Sequence, residues 1–83
     1  MFYTCIIEST EGAGHYYVGS TEDLAARMAD HNGGRSAPMA KYRPWRLIWS
    51  CAFTTRTKAD VSEEYLKSAS GRAFQQKHLQ IPL

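Results

Sequence analysis

The chain has 83 residues, of which 43% are hydrophobic and 12% aromatic. This size predicts one small domain over residues 1–83, near the lower limit for a core built without disulfides or metal. The composition excludes a disordered chain, and no apolar run approaches the roughly 20 residues of a membrane-spanning helix. Cys5 and Cys51 lack metal-ligand spacing. We therefore expect buried free thiols rather than a disulfide, in a soluble protein of the reducing cytoplasm.

Positive charge is concentrated in the middle of the chain, although the formal net charge is +2. No Asp or Glu lies between His31 and Ala59. A stretch whose charged side chains are all positive favours an anionic partner such as a phosphate backbone. The alternative is a solvated segment that binds no ligand. The basic residues of the stretch are Arg35, Lys41, Arg43, Arg46, Arg56 and Lys58.

The first third of the chain predicts a β-hairpin followed by a helix. Phe2–Glu8 is rich in β-forming residues and His15–Ser20 follows a glycine-containing turn, so we expect an antiparallel pair of strands. A hydroxyl at Ser20 or Thr21, followed by two acidic residues, is typical of a helix start. The helix should extend to about His31 and end at the glycine pair that follows.

The rest of the chain predicts one strand and two helical segments. Trp45 begins a run with a period of two, which indicates a strand to Phe53 with one apolar face. A helix over about Lys58–Ala69, capped by Thr57, should stop or kink near Gly71 before a last helical piece. The order β-β-α-β-α-α predicts an α+β fold, with a three-stranded antiparallel sheet flanked by helices. The apolar face of the third strand would hold Trp45, Leu47, Trp49, Cys51 and Phe53.

In the first helix, charged residues flank the apolar stripe. Leu24 and Met28 lie one turn apart and define the side that should be buried. Arg27 and His31 fall at the edge of this stripe, so they are neighbours that can face a site beside the core. Glu63 holds a similar position beside the stripe of the second helix.

Residues suited to cutting a phosphodiester bond occur on these elements. Tyr17 could receive a proton from an attacking water, Arg27 could neutralise charge on the phosphoryl group, and Glu63 could hold a divalent metal near the leaving oxygen. Gly19 lies on the same strand face as Tyr17 and leaves open space that would admit a phosphate.

Each of these residues has a simpler interpretation when it is taken alone. Tyr17 could be a packing residue of its strand, and Arg27 could form a surface pair with Asp23 one turn away. Glu63 could belong to a solvated helix face. His31 could be an ordinary surface histidine.

The spaced motifs of the chain, taken together, resemble those of the GIY-YIG endonuclease superfamily. The resemblance covers about residues 2–78 and is nearest to the small stand-alone members, which are similar to the amino-terminal nuclease domain of the bacterial nucleotide-excision-repair endonuclease. Several motifs in the right order make it more specific than a lone Tyr-x-Gly. The matching residues are Tyr17-Val18-Gly19-Ser20-Thr21, Asp23-Leu24, Arg27, His31-Asn32, Gly34, Arg43-Pro44-Trp45, Leu47, Thr55-Arg56-Thr57, Glu63 and Lys67.

The resemblance implies a role for several matching positions. Tyr17 would be the general base or activate the water, Arg27 would bind and polarise the scissile phosphate, and Glu63 would be the metal ligand. His31 matches a position where some members carry a histidine near the phosphate or the proton transfer. The implied cofactor is Mg²⁺ or Mn²⁺. The implied partner is nucleic acid, above all DNA in a repair setting, with a protein partner that supplies specificity.

Two positions depart from the family pattern. Cys5 stands where the first motif ends in tyrosine, and it would share a structural role in the motif with Gly19. Ser20 stands where many members carry a lysine close to the phosphate. The expected nucleic-acid contacts are therefore Ser20 and the basic residues that could replace this lysine, namely Arg35, Lys41 and Arg43.

The sequence thus predicts a metal-dependent endonuclease that hydrolyses phosphodiester bonds in DNA, with selectivity for the structure of the substrate. The alternative from another class is a non-catalytic nucleic-acid-binding or protein-interaction module on the same fold, which Cys5 favours. A third interpretation is an α+β protein unrelated to nucleic acid, which would not bind it even at low salt.

Overall fold

A computed structural model describes residues 1–11, 14–34 and 39–83 of the chain. It confirms the order β-β-α-β-α-α and the three-stranded antiparallel sheet, whose strands lie in the order β2-β1-β3. A short 3₁₀-helix also precedes the third strand. The elements are β1 (Phe2–Ser9), β2 (Tyr16–Thr21), α1 (Leu24–Asn32), the 3₁₀-helix (Met39–Tyr42), β3 (Trp45–Phe53), α2 (Arg56–Lys67) and α3 (Ala69–His78).

The central strand β1 is buried on both of its faces. The continuous run from Thr4 to Ile7 is buried, as is typical of a strand that is covered on two sides. Ile6 packs against Leu66 of α2 and against Ile81 in the core cluster. The hydroxyl of Thr4 donates a 2.7 Å hydrogen bond to the carbonyl of Ala59, which ties α2 to the same face of the sheet.

Strand β3 departs from the predicted alternation because it contains a β-bulge. Ile6 lies opposite Trp49 whereas Ile7 lies opposite Leu47, so Ile48 is an extra residue without a partner in the ladder. Ile48 consequently packs against the core cluster, and Leu47 is 38% exposed. The prediction that all five alternating residues share one face is therefore wrong, since Trp45 and Leu47 lie opposite Ser9 and Ile7, whereas the residues from Trp49 onward lie on the other face.

Helix α1 begins later than the sequence predicted, because Ser20 and Thr21 still belong to β2. Its N-cap is Asp23, whose carboxylate accepts a 3.0 Å hydrogen bond from the N–H of Ala26. The helix ends at Gly33, within the predicted glycine pair.

The inward-facing side of α1 also differs from the prediction. Leu24 and Met28 are half-buried, whereas His31 is buried and is 2% exposed. His31 therefore occupies the central position of the stripe rather than its edge.

Helices α2 and α3 meet at a tight corner. Thr55 rather than Thr57 caps α2, and Ser68 caps α3 by accepting a hydrogen bond from the N–H of Gly71. Contrary to the prediction, Gly71 does not interrupt a helix. It lies in the first turn of α3, where a Cβ would come within 1.8 Å of the carbonyl oxygen of Tyr65.

The two faces of the sheet are covered by different helices. Tyr16 and Val18 of β2 pack against the core cluster below α2. Tyr17, which lies between them and points to the other face, contacts His31 of α1. Among the described residues, no helix has the length and apolar character needed to cross a membrane.

Candidate functional site

Ser20, near the end of β2, connects two of the predicted catalytic residues. The guanidinium of Arg27 donates a 3.0 Å hydrogen bond from Nη2 to the carbonyl oxygen of Ser20. The hydroxyl of Ser20 donates to Oε1 of Glu63 at 2.9 Å. The cation of α1 and the carboxylate of α2 therefore lie around the same residue of the edge strand. Arg27 makes no ion pair with Asp23 in the described part of the chain, since Asp23 caps the helix.

Tyr17 lies beside this pair, with its ring directly over Gly19. A Cβ at position 19 would lie 2.9 Å from Cε1 of Tyr17. The ring of His31 meets the Tyr17 ring edge-on, with 5.5 Å between the centroids. The space beside Gly19 was expected to admit a phosphate, but this expectation is wrong because the phenol ring fills it. Gly19 instead allows the ring to lie flat along the strand.

His31 is buried with an unpaired ring nitrogen, so it is not a surface histidine. Its Nδ1 has no hydrogen-bond partner among the described residues. Burial lowers the pKa of His31 below its ordinary value, and the nearby positive charge of Arg27 lowers it further. The imidazole is therefore neutral at pH 7, with one ring nitrogen able to accept a proton.

Lys67 adds a positive charge to the site that the sequence interpretation did not assign. Its Nζ lies 2.7 Å from Oε2 of Glu63 and 5.9 Å from the ring centroid of Tyr17. The hydrogen bond to Glu63 raises the pKa of Lys67, so the amine is protonated at neutral pH. The signal in the sequence was the spacing of four residues, which places Lys67 one turn after Glu63.

Asp60 is a second carboxylate that was missed. Its Oδ1 lies 3.0 Å from the Ser20 hydroxyl, one helical turn before Glu63. A hydroxyl has one proton, so Ser20 donates to only one of the two carboxylates at a time.

Asp60 and Glu63 are the two carboxylates around Ser20 that could hold a divalent cation, and Oε2 of Glu63 is also paired with Lys67. No group of three or more potential ligands from His, Cys, Asp and Glu occurs among the described residues. A metal at Glu63, with Asp60 beside it, would therefore take its remaining ligands from water and phosphate oxygens. A hard divalent cation can be bound in this way, through one or two carboxylates and several waters.

Cys5 lies beneath the site, opposite Gly19 in the sheet register. It is 3% exposed, and burial raises the pKa of its thiol although Arg27 opposes the rise. The thiol is therefore protonated at neutral pH and does not act as a nucleophile. Both cysteines are free, as predicted, although Cys51 is only half-buried.

Two of the basic residues expected to contact nucleic acid lie at the 3₁₀-helix that precedes β3 and just after it. Nζ of Lys41 lies 4.9 Å from the ring centroid of Tyr42, and Arg43 is exposed. The Tyr42 ring contacts Trp45, which in turn contacts His31, so a row of rings connects this region to the site. Arg35 lies outside the described residues.

Comparison of the sequence with models of protein families identifies the family of this chain. The model of the GIY-YIG catalytic domain matches residues 1–78. The chain belongs to the GIY-YIG family. This domain is a nuclease fold, and nucleases of the family generally use divalent metal ions.

Similar proteins come from several bacteria. The chain is 35% identical over 66 residues to a UPF0213 protein of Streptococcus pneumoniae, a match that covers 78% of this chain and 65% of that protein. It is 32% identical over 77 residues to the UPF0213 protein Reut_B5558 of Cupriavidus pinatubonensis, covering 88% and 83%. It is 40% identical over 53 residues to the UPF0213 protein YazA of Bacillus subtilis, covering 63% and 54%. The first of these matches thus spans just under two thirds of the relative, and none of the names specifies an activity.

Proposed function

We propose that this chain is a metal-dependent endonuclease that hydrolyses phosphodiester bonds in DNA. The observation that carries the proposal is the meeting of Arg27 and Glu63 on the two sides of Ser20, with Tyr17 beside them. Cation, carboxylate and phenol come from three separate elements, and their grouping at the end of one strand provides the charges that phosphoryl transfer needs.

Arg27 is the group that binds the scissile phosphate in this proposal. One of its N–H groups is held by the Ser20 carbonyl, which fixes the position of the guanidinium. The other N–H groups can form a bidentate contact with two phosphate oxygens. The contact neutralises negative charge that builds up on the phosphoryl group during the reaction.

Tyr17 and His31 form the path for the proton in this proposal. Tyr17, with the ammonium of Lys67 beside its ring, would receive the proton of the attacking water while its own hydroxyl proton passes to a further acceptor. His31 is neutral and its Nδ1 has no partner among the described residues, so it provides the next acceptor against the edge of that ring. A divalent cation bound at Glu63 would supply charge neutralisation at the leaving oxygen.

The test uses Glu63→Gln and the matched variant Glu64→Gln, which changes the exposed neighbour on the same helix. The purified proteins are incubated with plain, flapped and branched DNA and with RNA of the same sequence, with and without Mg²⁺ or Mn²⁺. We expect Glu63→Gln to lose cleavage by about 10²–10³-fold while it remains folded, because a charge contact made in the transition state is lost. Glu64→Gln should cut as the parent does.

Two results of these incubations would contradict the proposal. Cleavage by Glu63→Gln at the parent rate in Mg²⁺ would place the metal ligand elsewhere. Cleavage that is unaffected by chelation of divalent cations would contradict the metal-dependent mechanism itself.

A non-catalytic nucleic-acid-binding module is the second candidate function. The observation that favours it is Cys5, a buried and protonated thiol at the position where the family's first motif has a phenol. This alternative predicts that the chain binds DNA but cuts none of the substrates with either metal. The same incubations distinguish the two functions.

A further inference from the structure

A cavity of about 610 Å³ lies directly beside the candidate site. It is formed by the start of β2, the end of α2 and the outer part of α3, and it shares Tyr17 and Lys67 with the site. Its volume lies within the range of roughly 300–1,000 Å³ that is usual for small-ligand sites. None of the roles assigned to the nuclease residues uses this space.

In the wall of the cavity, a buried side-chain amide has an oxygen with no hydrogen-bond partner among the described residues. Gln75 of α3 is 2% exposed, and its Nε2 donates a 2.9 Å hydrogen bond to the carbonyl of Leu66. A carbonyl only accepts, so this bond fixes the orientation of the amide and identifies Oε1 as the other end. Oε1 has no hydrogen-bond partner in the described part of the chain. A buried acceptor without a donor is unfavourable, and a ligand N–H would satisfy it.

The remaining walls combine apolar surface with positive charge. Tyr16 and Leu66 provide an aromatic ring and an aliphatic surface. Lys67 and Arg72 provide the charge, and none of the described residues that line the cavity is Asp or Glu. Arg72 is exposed and forms no ion pair within the part of the chain that the structure describes. A ligand that satisfies all three features has a flat apolar body, an N–H donor and an attached anion, which is the chemistry of a nucleotide.

We propose that this cavity binds one unpaired nucleotide of the strand that is cut at Arg27 and Glu63. The base lies against Tyr16 and donates an N–H to Oε1 of Gln75, and the phosphate of the same nucleotide contacts Arg72. A base in a duplex has its faces stacked and its donors paired, so it must leave the helix to reach Gln75. The assignment to the cut strand rests on the proposed nuclease function, whereas the nucleotide chemistry of the cavity does not.

The experiment measures the binding of labelled single-stranded oligonucleotides in EDTA, so that no turnover is needed. An abasic residue is moved along the strand one position at a time. We expect the loss of a base to weaken binding by about 5- to 100-fold at one position, the scale for a base stacked on an aromatic side chain, and by much less elsewhere. Gln75→Leu should abolish this dependence on position.

Arg72→Gln should weaken binding of intact and abasic strands alike, because it removes a phosphate contact. Lys77→Gln is the matched control, since Lys77 is an exposed cation of the same helix that does not line the cavity, and it should bind as the parent does. If Gln75→Leu fails to fold, the side-chain amide signal of Gln75 in a ¹⁵N-labelled parent replaces it. That signal should shift with the intact strand and not with the strand that is abasic at the sensitive position.

Each outcome separates this inference from the nuclease proposal. A protein that cuts DNA but shows no sensitive position and no Gln75 shift overturns the nucleotide site alone. A protein that cuts nothing but shows a Gln75-dependent position supports the nucleotide site and overturns the nuclease. A free mononucleotide that binds as tightly as the strand overturns the assignment to the cut strand.

Discussion

At the scale of single residues, the ring of Tyr17 packs against Gly19 and against the edge of the His31 ring. Strand alternation was enough to predict that Tyr17 and Gly19 share a face. The direction of the phenol ring could not be predicted, because it depends on His31, which comes from another element. The sequence therefore indicated the members of this cluster but not which of them fills the space beside Gly19.

Gly19→Ala tests whether the position of the ring matters. The added Cβ would lie 2.9 Å from a ring carbon of Tyr17, so the ring must turn away. We expect kcat/KM for DNA cleavage to fall about 10- to 100-fold, because small displacements of a reacting group have effects of this size. The melting temperature should change little, since the ring is half-buried and can move. Unchanged kcat/KM in this variant would show that the phenol takes no part in the reaction.

The buried His31 should make the stability of the fold depend on pH. Its pKa in the folded chain lies below the ordinary value of 6.5, so the unfolded chain binds more protons below that pH. The stability contributed by the neutral imidazole is complete above pH 6.5 and is lost as the pH falls toward the folded pKa. We expect the melting temperature to fall between pH 7 and pH 5, and to fall less in His31→Gln.

The control for this prediction is His78→Gln, which changes an exposed histidine of α3. It should retain the pH dependence of the parent. An identical pH dependence in His31→Gln and the parent would mean that other groups cause the change.

At the scale of elements, the sequence predicted every strand and long helix, because the apolar periods and the glycine and hydroxyl signals agree along the chain. The predicted caps of α1 and α2 differ from the observed caps, Asp23 and Thr55, by a few residues. The reason is that the position of each cap depends on where the preceding strand ends. The bulge at Ile48 was not predictable from a period of two. It arises from pairing with β1, which is a contact between distant parts of the chain.

The corner between α2 and α3 should tolerate no side chain at Gly71. A Cβ there would lie 1.8 Å from the carbonyl oxygen of Tyr65, so Gly71→Ala must move backbone atoms. We expect a loss of roughly 1–3 kcal/mol in the free energy of unfolding, the usual cost of overpacking. Ser70→Ala, at the exposed neighbouring position of the same helix, should be close to neutral. Urea denaturation of the two variants measures the difference, and equal stabilities would contradict the tight corner.

At the scale of the whole molecule, the site is assembled from β2, α1 and α2, and the sequence named at least one residue on each of them. Asp60 was missed and Lys67, although it was a motif match, was given no role, because both roles follow from sharing Ser20 and Glu63, not from residue type. That the basic loop replaces a family lysine stays a prediction, and Lys67 is a cation that lies beside Tyr17 and Glu63. Proximity in space, which a single sequence does not contain, accounts for these differences.

The dependence of DNA binding on salt tests the remaining role of the basic stretch. If Lys41 and Arg43 each contact a phosphate, the double variant Lys41→Gln with Arg43→Gln should reduce the slope of log K against log salt by about 2. Filter binding or anisotropy between low and moderate salt measures the slope. A slope equal to that of the parent would show that both cations face away from the nucleic acid.

The shared attachment at Ser20 has a mechanical consequence. Because β2 is the edge strand of the sheet, its end has more freedom to fluctuate than the central strand. Arg27 holds the carbonyl of Ser20 and Glu63 accepts from the hydroxyl of the same residue, so both charges follow this end when it moves. The distance between the guanidinium and the carboxylate is thereby preserved during such fluctuations. The end of β2 can therefore move without separating Arg27 from Glu63.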